Sequence, residues 1–235
     1  MNLQSPLLIT LRSIARRVGL TRLMSRLYNK PSYEYRFNSA MLGAIHSGDV
    51  VWDVGANVGY YTKQFAELVT KSGSVVAFEP VPDCFEKLHK NVSDAESLVK
   101  LYNVGLGKGD GSLNFKLGDT PLSPTGRFVD GASMPDINGV VSLPVFTADS
   151  LLNRDNLSIP NFVKIDVEGY EEEVVEGMKN ILHSAECKNV FIEVHFTILE
   201  LRGKQLAPNR IVNALKASQF QVKWIDSSHL HAYKK

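Results

Sequence analysis

Two apolar strands, each closing on an acid and separated by a glycine turn and a helix-like segment, constrain this chain more than any other feature. They lie in VVWDVGANVGYYT, Val50 to Thr62, and SVVAFEP, Ser74 to Pro80. Asp53 closes the first strand, Gly55, Asn57 and Gly59 form the turn, and Glu79 closes the second strand. A strand, a bare backbone turn, a helix N-terminus and an acid for a ribose outline a nucleotide-cofactor site. Glu79 lies about 20 residues past the last glycine, the separation expected of a ribose-binding acid. The glycine order is not the dinucleotide one, however. That fingerprint is G-x-G-x-x-G, and this turn reads D-x-G-x-N-x-G. The pattern predicts a Rossmann-like domain for a cofactor other than NAD, and argues against an NAD-type oxidoreductase.

The 235 residues allow one large α/β domain plus an extension. The expected division is a basic helical extension over residues 1–45 and a cofactor domain over 46–235. With 44% apolar and 22% charged residues the chain reads as soluble and globular. A net charge of +1 gives no broad attraction for nucleic acid, so no nucleic-acid partner is expected. Cys84 and Cys187 lack C-x-x-C spacing and read as buried thiols of a reducing, cytoplasmic compartment. No run of 18 apolar residues predicts a membrane span, and the apolar LLITL is too short for a signal-peptide core. The first thirty residues carry six basic residues, from Arg12 to Lys30, and no acid precedes Glu34. Leu7, Leu11, Ile14 and Val18 recur there at helical spacing. Such a segment can pack on the catalytic domain, lie on an anionic membrane surface as a peripheral contact, or serve as a transit peptide.

From Val50 onward strands and helices alternate, which predicts a mostly parallel sheet with helices on both faces. Strands are expected over residues 50–54, 74–79, 99–104, 162–166 and 189–194. Helices are expected over 60–71, from Pro82, near Asp149, over 170–182 and over 207–218. The segment from Gly105 to Gly111 breaks the pattern, and residues 112–117 can form an extra strand. Gly118 to Gly139 has turn residues throughout and reads as a candidate lid or acceptor loop. The last two strands, 221–225 and 230–233, are joined so tightly that they must be antiparallel. A parallel sheet of seven strands finished by an antiparallel hairpin is the architecture of class I methyltransferases.

The residues suit that architecture's methyl donor, S-adenosylmethionine. Asp53 lies at the carboxyl edge, where ligands bind, and suits a cationic sulfonium and an α-amino group. Gly55 and Gly59 let the backbone approach the cofactor, and Glu79 can accept hydrogen bonds from both ribose hydroxyls. A second constellation is FVKIDVEGYEEEVVEGM, residues 162–178. Lys164, Asp166 and Glu168 alternate along extended chain and so share a face. Charge in a central strand is costly unless paired. A Lys–Asp ion pair is one explanation; contact of Asp166 with acceptor, donor amine or cation is the other. A third is NVFIEVHF, where Glu193 and His195 share a face beside the fourth strand. Asp166, Glu193 and His195 can therefore converge at one sheet edge.

These stretches together resemble the FkbM-type methyltransferases, a class I, S-adenosylmethionine-dependent family. The resemblance rests on VVWDVGANVGYYT, VVAFEPVPDCFEKLHKNV, VFTADSLL with Thr147 and Asp149, VKIDVEGYEEEVVEGM and FIEVH. It implies Asp53, Gly55, Asn57, Gly59 and Glu79 as cofactor residues and puts Asp166 and Glu168 in the family's fourth-strand signature. It also implies O-methylation of a hydroxyl on a sugar, glycolipid, polysaccharide or natural product. The expected general base is His195, oriented by Glu193. In the alternative mechanism Asp166 and Glu193 hold a divalent cation, magnesium by its oxygen ligands. An amine-methylating nucleic-acid enzyme would carry an N-P-P-Y-like tetrapeptide where D-V-E-G stands. A non-catalytic binding module would need the donor pocket but no converging acid–base groups.

Overall fold

The computed structural model describes residues 31–116, 127–128 and 140–235. The basic segment 1–30 and, apart from Arg127–Phe128, the loop 118–139 lie outside the described residues, and with them the expectations for an amphipathic extension and a lid. Two compact units divide the chain, residues 1–39 and 40–235. Helix α1, Pro31–Leu42, begins in the first unit and ends in the second; all other described elements belong to the second.

The second unit is built on seven strands. They are β1 (Val50–Val54), β2 (Ser74–Phe78), β3 (Val99–Tyr102), β8 (Phe162–Ile165), β9 (Asn189–Glu193), β10 (Gln221–Trp224) and β11 (His229–Tyr233). Their order is β10-β11-β9-β8-β1-β2-β3. Only β11 runs against its neighbours. Strand β1 is almost wholly buried because helices cover both faces of a parallel sheet, and this explains its continuous apolar run. Trp52, Phe78, Ile165 and Ile192 line one side of the core. Each such side chain adds about 1.5–3 kcal/mol of transfer free energy on burial. Between β1 and β8 the chain order reverses, so their carboxyl ends open the crevice where such sheets bind ligands. Register sets Asp53 directly beside Lys164 there.

The break after β3 is a second sheet. Gly105–Leu106 (β4), Gly111–Lys116 (β5), Arg127–Phe128 (β6) and Val140–Phe146 (β7) order as β4-β7-β5-β6. The extra strand predicted at 112–117 is β5, and it pairs antiparallel with β7. One face of this sheet packs Phe115, Leu143 and Val145 against Val81, Cys84 and Tyr170. It thus touches the chain just beyond Glu79 and just beyond Glu168.

The helices are α2 (Tyr60–Val69), α3 (Pro82–Asn91), α4 (Ala148–Arg154), α5 (Glu171–Glu176), α6 (Lys179–His183), α7 (Phe196–Leu201) and α8 (Ala207–Ala217). The single helix expected over 170–182 is two, α5 and α6. A Cβ on Gly177 would lie 1.8 Å from the Gly107 carbonyl oxygen. The chain bends at this close approach, and Asp149 restarts the helix by accepting hydrogen bonds from the amides of Asn180 (2.9 Å) and Ile181 (3.2 Å). Helix α7 has no period long enough to read from sequence. No helix among the described residues is long and apolar enough to cross a membrane.

Candidate active site

The glycine turn folds over the end of β2, where the Phe78 carbonyl accepts from the amides of Gly55 and Ala56, both at 3.0 Å. Gly55, Asn57 and Gly59 all adopt left-handed backbone, at φ 76°, 51° and 90°. Asn tolerates this region better than other side chains with a Cβ. A Cβ on Gly55 would fall 1.9 Å from the Asp166 carbonyl oxygen, and one on Gly59 would meet Leu88 at 2.7 Å. Gly55 is therefore demanded by backbone packing within the protein and Gly59 is favoured by its left-handed φ, requirements additional to any ligand's approach.

Glu79 sits in the wall of this turn. Its Oε2 accepts from the Asn57 amide at 2.9 Å and its Oε1 from the Val81 amide at 2.8 Å. The Asn103 side chain donates to the Glu79 carbonyl at 2.8 Å and holds the strand end in place. Burial pushes the Glu79 carboxyl up to about 7, against the pull of the two amides and of Lys164. Each oxygen keeps a lone pair for a further donor.

Asp53 is fully buried, and its two oxygens are already engaged, Oδ2 by the Thr62 hydroxyl at 2.7 Å and Oδ1 by Lys164 Nζ at 3.1 Å. Lys164 also donates to the Gly55 carbonyl at 3.1 Å and lies 3.7 Å from Asp166 Oδ2. Burial works against its charge, but Asp53 and Asp166 outweigh it and hold the ammonium above its ordinary range. The Lys–Asp pair is therefore present, and it welds the tips of β1 and β8 together.

Beyond β8 the chain leaves extended geometry. Glu168 is left-handed at φ 48°, so the alternation that grouped Lys164, Asp166 and Glu168 stops at the end of the strand. The turn nevertheless returns Glu168 to the same place. His195 Nε2 lies 3.4 Å from Glu168 Oε2, 3.8 Å from Asp166 Oδ1 and 3.9 Å from Glu193 Oε1. All four predicted catalytic residues meet here.

The predicted orienting partner of His195 is corrected. Glu193 is beyond hydrogen-bond reach of the ring, and its Oε2 lies nearer His229 Nε2, at 3.5 Å. His229 is itself anchored by Asp226 at 2.7 Å. His195 Nδ1 instead bonds Glu171 Oε1 at 2.6 Å. Glu171 is fully buried and also accepts from the Gly169 amide at 2.8 Å. Glu171, Glu172 and Glu173 are all acids of the first turn of α5, where they complement the helix dipole. The tertiary fold decides that the first turns toward His195 while the other two meet Arg202, Lys204 and Arg210.

Charge in this group is strongly coupled. Burial disfavours the imidazolium, but Glu171, then Glu168 and Asp166, override it and lift His195 to about 9. Burial raises Glu168 to about 7 and raises Asp166 as well. Glu193 is held low, first by its contact with His229. Ligand atoms of Asp166, Glu168 and His195 all lie within 4.8 Å of one another, so this trio, rather than the expected Asp166 and Glu193, is the group that could hold a cation.

The sheet order, with its switch between β1 and β8 and its closing antiparallel hairpin, is that of the class I methyltransferase fold. Residues 53–222 match the methyltransferase FkbM domain, and the chain belongs to that family. It is 32% identical over 155 residues to the hexuronic acid methyltransferase AglP of Haloferax volcanii, covering 66% of this chain and 59% of that protein. The chain thus spans less than two thirds of that relative's length. Among solved structures, methyltransferase FkbM of Methylobacillus flagellatus aligns at TM-score 0.54 and 16% identity, covering 81% of this chain and 45% of its own. A Clostridium thermocellum protein described as a putative rRNA methylase gives TM-score 0.54 and 12% identity over 86% of this chain and 94% of its own. At these identities the two structures support the fold.

Proposed function

We propose that this protein transfers a methyl group from S-adenosylmethionine to a hydroxyl of a sugar-containing acceptor. The observation that carries the reading is the Glu171–His195 pair, a buried carboxylate 2.6 Å from Nδ1 with Nε2 turned to the carboxylates of Glu168 and Asp166. A sugar hydroxyl is weakly acidic, and an oriented imidazole can accept its proton. The sugar assignment draws on AglP, whose name gives a hexuronic acid as its acceptor. Carboxylates of Asp166, Glu168 and Glu193 suit the several hydroxyls of a sugar ring.

S-adenosylmethionine, when bound, supplies the methyl group. Glu79, fixed by two amides, suits the ribose hydroxyls, and the Gly55–Gly59 turn lines the approach. Asp53 acts through Lys164, keeping the β1 and β8 tips together. Asp166 and Glu168 hold the acceptor against the donor, and this alignment should supply much of the rate gain. The same acids keep His195 protonated while nothing engages them. An acceptor that engages them lowers His195 toward the range in which it takes a proton.

The test is incubation with S-adenosylmethionine and a panel of uronic-acid and neutral glycans, with methylated product read by mass spectrometry. His195→Ala should lose about 100- to 10,000-fold in turnover and keep its affinity for S-adenosylhomocysteine. A His195→Ala enzyme of undiminished rate overturns the base assignment. A second reading is favoured by the spacing of Asp166, Glu168 and His195, which fits a divalent cation that binds the hydroxyl and lowers its pKa. Loss of activity in EDTA, restored by magnesium or manganese, selects that reading.

A further inference from the structure

We infer that Arg202 is a positioning residue for His195, acting from the far end of the same helix. Helix α7 starts on His195 as its N-cap and ends on Arg202 as its C-cap. The Arg202 side chain is 7% exposed. Its Nη1 donates to the Gly169 carbonyl, its Nη2 meets Glu173 Oε1 at 2.7 Å, and its guanidinium lies 4.7 Å from the Tyr170 ring centroid. The peptide on the other side of Gly169 completes the chain of contacts. The Gly169 amide donates to Glu171 Oε1, and that oxygen holds His195 Nδ1.

The segment in between needs such a lock. Glu168 and Gly169 are consecutive left-handed residues, at φ 48° and 89°. Ile198 of α7 fills the space a Gly169 Cβ would take, at 2.4 Å. Glycine at 169 therefore leaves the turn both tight and free to rearrange. The guanidinium removes that freedom, because one rigid fork reaches a carbonyl of the turn and a carboxylate of α5 together. Lysine cannot span both acceptors in the same way.

Loss of Arg202 should leave the helix charges paired. Lys204 reaches Glu173 at 2.6 Å and Glu172 at 3.0 Å, and Arg210 also bonds Glu172. What is lost is the hold on the Gly169 carbonyl, and with it the registration of Glu171 against the imidazole. The inference rests on the proposed role of His195 for its catalytic meaning, but its test does not.

The experiment uses the full chain labelled with nitrogen-15 at histidine. The His195 signals are identified by their absence in His195→Gln. In the wild type, a strongly hydrogen-bonded Nδ1–H resonance is expected in the far-downfield proton spectrum. Arg202→Ala should lose this resonance, guanidinium ion should restore it, and Arg202→Lys should recover it only in part. Affinity for S-adenosylhomocysteine, measured by calorimetry on the same samples, should not change. An Arg202→Ala spectrum with the wild-type His195 resonance overturns the inference. So does an Arg202→Lys spectrum indistinguishable from wild type, which reads directly if the alanine variant fails to fold. Failure of the methyl-transfer reading would show differently, as absent S-adenosylhomocysteine binding with the resonance intact.

Discussion

Glu79 carries its own test at the scale of a single side chain. Both oxygens accept backbone amides, yet burial raises the carboxyl to about 7. If the ionised form accepts the ribose hydroxyls, cofactor affinity must follow that ionisation. Affinity for S-adenosylhomocysteine should be full above pH 7 and decline as the pH falls through it, with a limiting slope of about tenfold per pH unit. Glu79→Gln should bind roughly 10- to 100-fold more weakly, because one amide then faces an NH₂ donor and a charge-assisted acceptor is gone. Its affinity should also be flat across that range. Calorimetric titrations at several pH values check both, and a wild-type affinity independent of pH would remove Glu79 from the binding role.

Elements decide what single residues can do, and Gly55 shows it. Its missing side chain lets the β1 turn lie on the backbone of Asp166, which a methyl would strike at 1.9 Å. Gly55→Ala must displace one of two backbones and hold a Cβ in left-handed geometry, a combined cost of at least ~2 kcal/mol. Expected results are a lowered melting temperature and weakened S-adenosylhomocysteine binding together, checked by thermal denaturation and calorimetry. The five parallel strands and the closing hairpin were legible because their apolar runs are bounded by turn residues. The glycine turn and the acids ending β1 and β2 were legible because their spacing is local. Glu171 was not, since its sequence neighbours are equivalent acids and only the approach of α7 distinguishes it. The α5–α6 break was hidden for the same reason. Gly177 sits in a helical pattern, and the Gly107 carbonyl that leaves no room for a side chain there is far away in sequence.

Across the whole molecule the shifted groups set a direction for stability against pH. Glu79 and Glu168, both raised from 4.5 to about 7, bind protons more tightly folded than unfolded between those values. Stability from these groups is present at acid pH and is lost as the pH rises through 7. For Glu79 this amounts to roughly 3 kcal/mol at about 1.4 kcal/mol per pH unit. His195, raised to about 9, and His229, also raised, act the same way one step higher, with stability present below 6.5 and lost on the alkaline side. His231 opposes them. It is buried against Phe191 and pushed down to about 4, so it favours folding above 6.5 and withdraws that support as the pH falls. Paired surface acids such as Asp155, held near 2 by Arg154, weaken the fold only at lower pH. The ligand-free protein should therefore be most stable at about pH 4–5, because two raised carboxyls outweigh His231 above that range, and its melting temperature should fall steadily toward pH 9. The chief loss should come from Glu79 and from the cluster of Glu168 with His195. Glu168→Gln should flatten the decline between pH 5 and 7, because an amide contributes no proton linkage there. Thermal denaturation at pH 5, 7 and 9 checks this, and a wild-type midpoint that rises from pH 5 to 9 would show that the site's charges do not govern the balance.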